Sequence, residues 1–364
     1  MASGEIQARH VFHAATSGWD RIHAWREATG EPVFVWGRSS GAEDAAWFGG
    51  IKRAFRRWIG ESGSTCRITV YHDGIGADAF GPLDTAGHKV IFLHTFFPRW
   101  ERHFEWLLRS TGLVLVGDEV LPGLLRERFG WIPERYIHAV AQPLLSGQED
   151  LVPRPGGARE RTGIWLQGQS WRRFGNRLRS VVDRWPPENG ELEIITGAGK
   201  APRWARREGV IWTGGMPFEF AQHRLFTWDS VLLLNDYALD APWLLRALAI
   251  GCFPLVPDGE SPQRRGAWEA DAAPRPYPWG DIAAAGERLR EWRDGKEGLF
   301  PRFQGWAGNL LARHPESPAF NRSWGPVKAS LLEQRPPRLG RRKPHPDWYP
   351  VRWYERVQRL REGV

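Results

Sequence analysis

The chain has 364 residues, which is enough for two domains that each bury a core of their own. Charged residues make up 25% of the sequence and hydrophobic residues 41%, as in soluble globular proteins, and no apolar run approaches the roughly 20 residues that cross a bilayer. The net charge of +8 is spread along the chain without a helix-turn-helix, zinc-finger or RRM pattern, which disfavours a dedicated nucleic-acid binder.

The N-terminal segment, MASGEIQARHVFHAATSG, lacks the basic start and apolar block of a secretory signal. Two cysteines, Cys66 and Cys252, are too few for a disulfide framework, and no Cys or His residues recur at metal-ligand spacing. We therefore expect a cytoplasmic, bacterial protein without a metal site.

The first half alternates short apolar runs with amphipathic stretches, which predicts a parallel, doubly wound sheet. Strands are predicted at residues 8–15, 32–36, 67–71, 89–93, 113–116 and 136–141, and helices at 18–29, 42–59, 99–110 and 120–129.

A polar, Pro/Gly-rich break at residues 148–161 has the composition of a linker, and the same alternation restarts after it. We expect an N-terminal domain over 1–150 and a C-terminal domain over 160–334, with strands at 163–167, 192–196 and 210–213 and helices at 172–184, 219–225, 282–293 and 303–313. Residues 335–364 are a Pro/Arg-rich linker and a predicted helix at 351–362, which either crosses back to the N-terminal domain or forms a loosely attached basic tail.

The segment 229–257, DSVLLLNDYALDAPWLLRALAIGCFPLVP, combines a buried strand, a helix and a second strand. Asp240 is the predicted N-cap of the helix, and Pro242 suits its first turn. Free N–H groups at such a helix start, together with the helix dipole, favour a phosphate. The same pattern also occurs in β-α-β units that bind nothing.

The run from Leu244 to Pro254, LLRALAIGCFP, resembles the LLEAMACGCFPV signature of GT-B glycosyltransferases. More narrowly, it is similar to the nucleotide-sugar-dependent group 1 type, the family 4-like enzymes related to glycogen synthase. Residues 163–177, 192–197, 210–214 and 277–295 resemble further family segments in the same order. Arg246 stands where the family has a helix glutamate, and the earlier glutamate of the pair falls near Ala238, unless Asp240 takes its role.

The resemblance implies two Rossmann-like, doubly wound parallel-sheet domains that face a cleft. It also implies transfer of a sugar from a nucleotide diphosphate-sugar to a saccharide or lipid-linked acceptor, with retention and without a metal or other cofactor. The basic charge suits the donor diphosphate and peripheral contact with an anionic inner membrane face. Envelope or exported polysaccharide synthesis is the expected setting.

Candidate site residues follow predicted strands, where ligands of parallel sheets bind. In the first half, Gly18 and Arg21 resemble the family's glycine-containing loop near the donor phosphates. His72, Asp73 and His94 are the catalytic candidates: a His there can hydrogen-bond a sugar hydroxyl, and Asp73 is the general base if the reaction inverts.

In the second half, Arg172 and Arg173 are the candidates that neutralise the diphosphate leaving group. The helix start supplies Asp240, Ala241 and Leu244 for the donor phosphates, with Asp240 as the cap. The nucleotide or sugar candidates are Gly214 and Arg246. Each residue also has a purely structural interpretation, as a turn, a strand end or a solvated charge.

Two other functions remain open from the sequence. A degenerate GT-B protein would bind a nucleotide or glycan without efficient transfer, because Arg246 and Ala238 replace the paired glutamates. A basic protein that binds nucleic acid or membrane is the second alternative, and steep salt dependence of DNA binding would support it.

Overall fold

A computed structural model describes residues 7–14, 18–37, 45–63, 66–74, 76–84, 87–94, 114–116, 120–130, 137–145, 160–166, 174–197, 200–235, 239–259, 266–314 and 317–333. The described chain divides into two compact units. The first unit holds the described residues up to 14, from 25 to 142 and from 317 to 333. The second holds 18–24 and 143–314. The domain limits expected from the sequence stay a prediction.

The first unit is built on a six-stranded sheet whose strand pairs are all parallel. Along the chain the elements are β1 (Gln7–His13), α1 (Trp19–Thr29), β2 (Val33–Trp36), α2 (Ala45–Glu61), β3 (Cys66–His72), α3 (Ala77–Phe80), β4 (His88–Leu93), β5 (Val114–Val116), α4 (Val120–Arg128) and β6 (Ile137–Ala139), and residues 19–24 of α1 belong to the second unit. The strand order is β2-β1-β3-β4-β5-β6, so the winding reverses between β1 and β3.

The second unit is built on a five-stranded parallel sheet. Its elements are β7 (Arg161–Leu166), α5 (Gly175–Arg184), β8 (Glu191–Thr196), β9 (Val210–Gly214), α6 (Phe218–Arg224), β10 (Ser230–Leu232), α7 (Pro242–Ala249), β11 (Phe253–Leu255), α8 (Ile282–Asp294) and α9 (Lys296–Leu311). The order β11-β10-β7-β8-β9 places the reversal between β7 and β10. Two doubly wound parallel sheets confirm the predicted fold class.

The last described helix, α10 (Ser317–Glu333), belongs to the first unit although it follows the second in sequence. Its Phe320 and Trp324 lie 5.1 and 5.7 Å, ring centre to ring centre, from the buried Trp25 of α1. The helix therefore contributes to the core of the first sheet. No helix among the described residues combines the length and apolarity needed to cross a membrane.

Packing in the second unit explains one glycine of β7. A Cβ on Gly163 would lie 2.1 Å from the indole of Trp228, so only glycine lets this ring pack against the strand. Trp165 of the same strand stacks on Trp243 of α7, with ring centres 5.6 Å apart. These contacts hold α7 against the sheet.

Candidate functional site

In the first unit, the carboxyl ends of β3 and β4 bring the predicted catalytic residues together. Asp73 follows β3 with φ 55°, a left-handed conformation that Asp adopts more readily than most residues. Its backbone N–H donates to the carbonyl of Phe92, and its carboxylate accepts a 3.1 Å hydrogen bond from the backbone N–H of His94. The turn at Asp73 thereby ties the two strand ends together.

The ring of His94 is buried and bonded at both nitrogens within the unit. Nδ1 lies 2.9 Å from Oε1 of Gln142, and Nε2 lies 2.8 Å from Nδ1 of His72. His72 and His94 are both 0% exposed. In this arrangement neither ring nitrogen of His94 is directed at a ligand, so its predicted contact with a sugar would require the ring to turn.

His72 continues this series of side-chain hydrogen bonds through His10 to Glu31, which follows α1. Nε2 of His72 lies 3.1 Å from Nδ1 of His10, and Nε2 of His10 lies 2.9 Å from Oε2 of Glu31. The ring of Phe12 stacks on His72 at 3.7 Å. Sequence reasoning missed His10, Glu31 and Gln142, because their partners lie 21 to 62 residues away and no local pattern marks them.

Glu31, at one end of this series of hydrogen bonds, accepts hydrogen bonds at both of its carboxylate oxygens. Oε1 accepts from the backbone N–H of Ala8 at 2.9 Å and from the Lys328 ammonium at 2.6 Å, and Oε2 accepts from the Trp324 indole at 2.9 Å. Burial opposes ionisation, but the hydrogen bond and charge of His10, with the bonds from Lys328 and Ala8, lower the pKa of Glu31 to about 2. The side chain is ionised at neutral pH.

In the second unit, the start of α7 lies beside the reversal between β7 and β10, where ligands of doubly wound sheets bind. The N-cap is Ala241, which makes no side-chain hydrogen bond to the helix, so the prediction that Asp240 caps it is wrong. The carboxylate at this terminus belongs instead to Asp20, whose Oδ2 accepts from the backbone N–H of Trp243 at 3.4 Å. That partner is 223 residues away and could not be found from local sequence.

The amides that were expected to bind phosphate are already used. Pro242 has no N–H, and the N–H groups of Leu244 and Leu245 both donate to the carbonyl of Ala241, at 2.9 and 3.0 Å. With Trp243 bonded to Asp20, the first four residues of α7 offer no further N–H in this conformation. An anion can bind there only if Asp20 moves.

Two other predicted site residues, Arg21 and Gly18, also lie at the start of α7. Nη2 of Arg21 donates to Oδ1 of Asp240 at 2.7 Å, and each side chain is 9% exposed. Gly18 adopts φ +80°, and a Cβ there would lie 2.6 Å from Oδ1 of Asp20. The structure therefore groups Gly18, Arg21, Asp240, Ala241 and Leu244 around the helix start.

Desolvation is the main influence on the ionisation of Asp20 at this helix start. Burial raises the pKa of Asp20 above its ordinary value, and the neighbouring Arg21 charge and backbone hydrogen bonds only partly offset this. Burial therefore disfavours the charged form of the carboxyl group that holds the Trp243 amide.

Arg246 points elsewhere. It is buried on α7, and its Nη1 donates to Oε1 of Gln222 at 2.8 Å, while its guanidinium lies 5.8 Å from the ring centre of Phe226. Gly214 ends β9 and is partly buried. Arg172 and Arg173 follow the end of β7 by six and seven residues and lie outside the described residues, so their roles stay a prediction.

No protein-family model and no curated protein matches the chain. Its fold is similar to that of a glycosyltransferase from Rickettsia africae, with a TM-score of 0.59 and 9% identity over 91% of this chain and 100% of that one. A UDP-forming α,α-trehalose-phosphate synthase from Burkholderia xenovorans, in complex with glucose-6-phosphate, gives 0.57 and 12% over 89% and 100%. S. aureus MnaA in a structure with UDP gives 0.59 and 10% over 92% and 100%.

At these identities the likeness concerns the fold. It agrees with the two Rossmann-like, parallel-sheet domains expected from the resemblance to GT-B glycosyltransferases. The narrower resemblance to family 4-like enzymes stays a prediction.

Proposed function

We propose that the chain is a glycosyltransferase that moves a sugar from a nucleotide diphosphate-sugar to a saccharide or lipid-linked acceptor. The observation that carries this proposal is the cluster at the start of α7, beside the reversal of a sheet in a fold shared with a UDP-forming synthase. Retention and independence of a metal or other cofactor rest on the sequence resemblance. Cytoplasmic location and contact with an anionic membrane face are expectations from the N-terminal segment, the cysteine count and the basic net charge.

In this proposal the donor diphosphate binds at the start of α7 and replaces the Asp20 carboxylate. The phosphate would accept the Trp243 N–H that Asp20 now accepts, and it would also meet the Arg21 guanidinium. Arg172 and Arg173 would add cations from the segment after β7. The fixed positive groups would stabilise the departing diphosphate.

A second function, binding of a nucleotide or glycan without efficient transfer, is favoured by two observations. Asp20 occupies the helix start, and Arg246, which stands at the family's glutamate position, is held by Gln222. The third alternative, a basic protein for nucleic acid or membrane, has only the net charge in its support.

Binding of UDP, GDP, ADP and their sugar conjugates, measured by thermal shift and calorimetry, tests the proposal. We expect one nucleotide diphosphate to stabilise the chain, and Arg21→Ala to weaken its binding at least tenfold. Asp20→Asn should bind more tightly than the wild type, because a negative charge at the phosphate position is removed. Arg179→Ala, in an exposed i,i+4 pair on α5, is the matched control and should bind normally.

Turnover of the stabilising sugar conjugate separates the first two functions. Release of free nucleotide diphosphate that depends on an acceptor supports transfer, and binding without release supports the non-catalytic alternative. Absence of binding by every nucleotide, with salt-sensitive binding of DNA or anionic vesicles, would exclude both.

A further inference from the structure

Helix α2 of the first unit carries a row of exposed arginines. Its sequence, AAWFGGIKRAFRRWIGE, has no acidic residue before Glu61, and its three arginines, Arg53, Arg56 and Arg57, are all exposed. Residues three and four positions apart lie on the same side of a helix, so these three side chains share one side of α2. We call this set of three residues the arginine face.

The opposite side of α2 is packed into the core of the first unit. Phe55 is 0% exposed, and its ring centre lies 5.2 Å from that of Phe34 in β2 and 4.7 Å from that of Phe80 in α3. Trp58 is half-buried, and its ring centre lies 5.3 Å from that of Phe34. The large rings of this part of the helix are therefore held by the protein itself, and the arginine face points away from them.

The charge of the arginine face is not neutralised within the part of the chain that the structure describes. None of its three guanidinium groups has an ion pair there, whereas Arg179 of α5 pairs with Asp183 and Arg288 of α8 pairs with Glu291. Three positive charges within five residues repel one another and favour an anionic partner.

The outer side of α2 between the arginines is made of small residues. Gly50, Ala54 and Gly60 lie on this side, and a Cβ on Gly50 would be 4.0 Å from Nη2 of Arg53. No larger side chain covers the guanidinium groups over residues 50–60, so all three can contact one planar anionic surface at the same time. This stretch also presents no exposed aromatic ring on which a nucleic-acid base could stack.

We infer that the arginine face is an electrostatic docking surface for an anionic lipid bilayer and contacts the headgroup phosphates. The membrane contact expected from the basic net charge is thereby assigned to one helix. Neither candidate site contributes a residue to this surface, so docking is independent of the proposed sugar transfer. Because the rings of Phe55 and Trp58 are packed against Phe34, docking is ionic and inserts no apolar side chain of this stretch into the bilayer.

Flotation of the full chain with lipid vesicles tests the inference. We expect binding to vesicles of phosphatidylcholine with phosphatidylglycerol and none to phosphatidylcholine alone. Each arginine near an anionic bilayer strengthens binding about fivefold, so the triple variant Arg53→Gln, Arg56→Gln, Arg57→Gln should bind about 100-fold more weakly. Glutamine is as good a helix former as arginine, and an unchanged circular dichroism spectrum verifies that α2 is retained.

A second triple variant controls for net charge. Arg184→Gln, Arg203→Gln, Arg206→Gln removes the same charge from exposed positions of the second unit and should bind the anionic vesicles like the wild type. Equal weakening in the two triple variants, or no weakening in the α2 variant, would overturn the inference.

Ionic strength and nucleic acid distinguish the other partners. At about 1 M salt, where the Debye length is about 3 Å, ionic docking should be lost, and retention would show apolar insertion instead. A DNA or RNA oligonucleotide that binds through the arginine face, without vesicle binding, would assign the surface to nucleic acid and contradict the inference. Nucleotide binding should be unchanged in the α2 variant, so the outcome with vesicles is separate from the outcome for sugar transfer.

Discussion

At the scale of single residues, Glu31 has the contacts that most clearly link charge to stability. Its pKa of about 2 lies below the ordinary value of 4.5, so the folded state holds the ionised form more strongly than the unfolded chain does. The stabilisation is complete above about pH 4.5 and is lost as the pH falls towards 2. Its size is about 3 kcal/mol.

Glu31→Gln should therefore lower the free energy of unfolding at pH 7 by about 3–5 kcal/mol, since Lys328 loses its buried counter-ion. The difference between the variant and the wild type should shrink as the pH falls from 4.5 to 2. Urea unfolding across this range measures it, with the exposed Glu188→Gln as control. A difference that is independent of pH would show that Glu31 contributes packing alone.

At the scale of elements, the start of α7 depends on a side chain from α1. Asp20→Ala should cost about 1 kcal/mol, because the Trp243 amide loses its acceptor. Asp20→Asn keeps an acceptor and removes a carboxyl group whose pKa burial raises. The cost of ionising that carboxyl is absent below pH 3.8 and grows as the pH rises, so Asp20→Asn should equal or exceed the wild type at pH 7.

Chemical unfolding of the two Asp20 variants at pH 7 checks this prediction. Asp281→Ala, which removes the side-chain cap of α8, provides a matched control at a helix whose cap comes from its own sequence. Equal losses in Asp20→Ala and Asp20→Asn would mean that the carboxylate charge, and not the acceptor, holds the helix.

The strands were predictable because most of them are short runs rich in apolar residues. Every predicted strand is found within three residues at either end, as β3 and β8 illustrate. The helices were predicted less completely. Helix α9 begins at Lys296, seven residues before the predicted start, and no helix was predicted where α10 lies. Pro301 and Pro326 lie inside these helices and argue locally against them, so tertiary packing outweighs the local signal.

The candidate site was predictable only in part, for a physical reason. Arg21 and Asp240 could be placed at strand ends from the sequence, but their ion pair joins residues 219 positions apart. The same holds for the series of hydrogen bonds that links Glu31 to Gln142 through three histidines. The sequence periodicity that predicts a strand carries no information about which distant side chain completes a hydrogen bond.

At the scale of the whole molecule, the first unit is assembled from segments at opposite ends of the sequence. Residues 317–333 supply Phe320 and Trp324 to the ring cluster around Trp25, and Lys328 to Glu31. Loss of the burial of one such aromatic ring lowers the free energy of unfolding by about 3–5 kcal/mol, which is comparable to the stability of a domain.

A chain that ends at residue 316 should therefore lose the fold of the first unit, while the second unit, whose described elements end before residue 317, keeps its own core. Near-ultraviolet circular dichroism and dye binding report the exposed aromatic core, and thermal unfolding should retain one transition. A chain that ends at Glu333 retains all of these contacts and serves as the control. Identical spectra for the two truncated chains would show that α10 is dispensable, since the packing of Trp25 would then survive without Phe320 and Trp324.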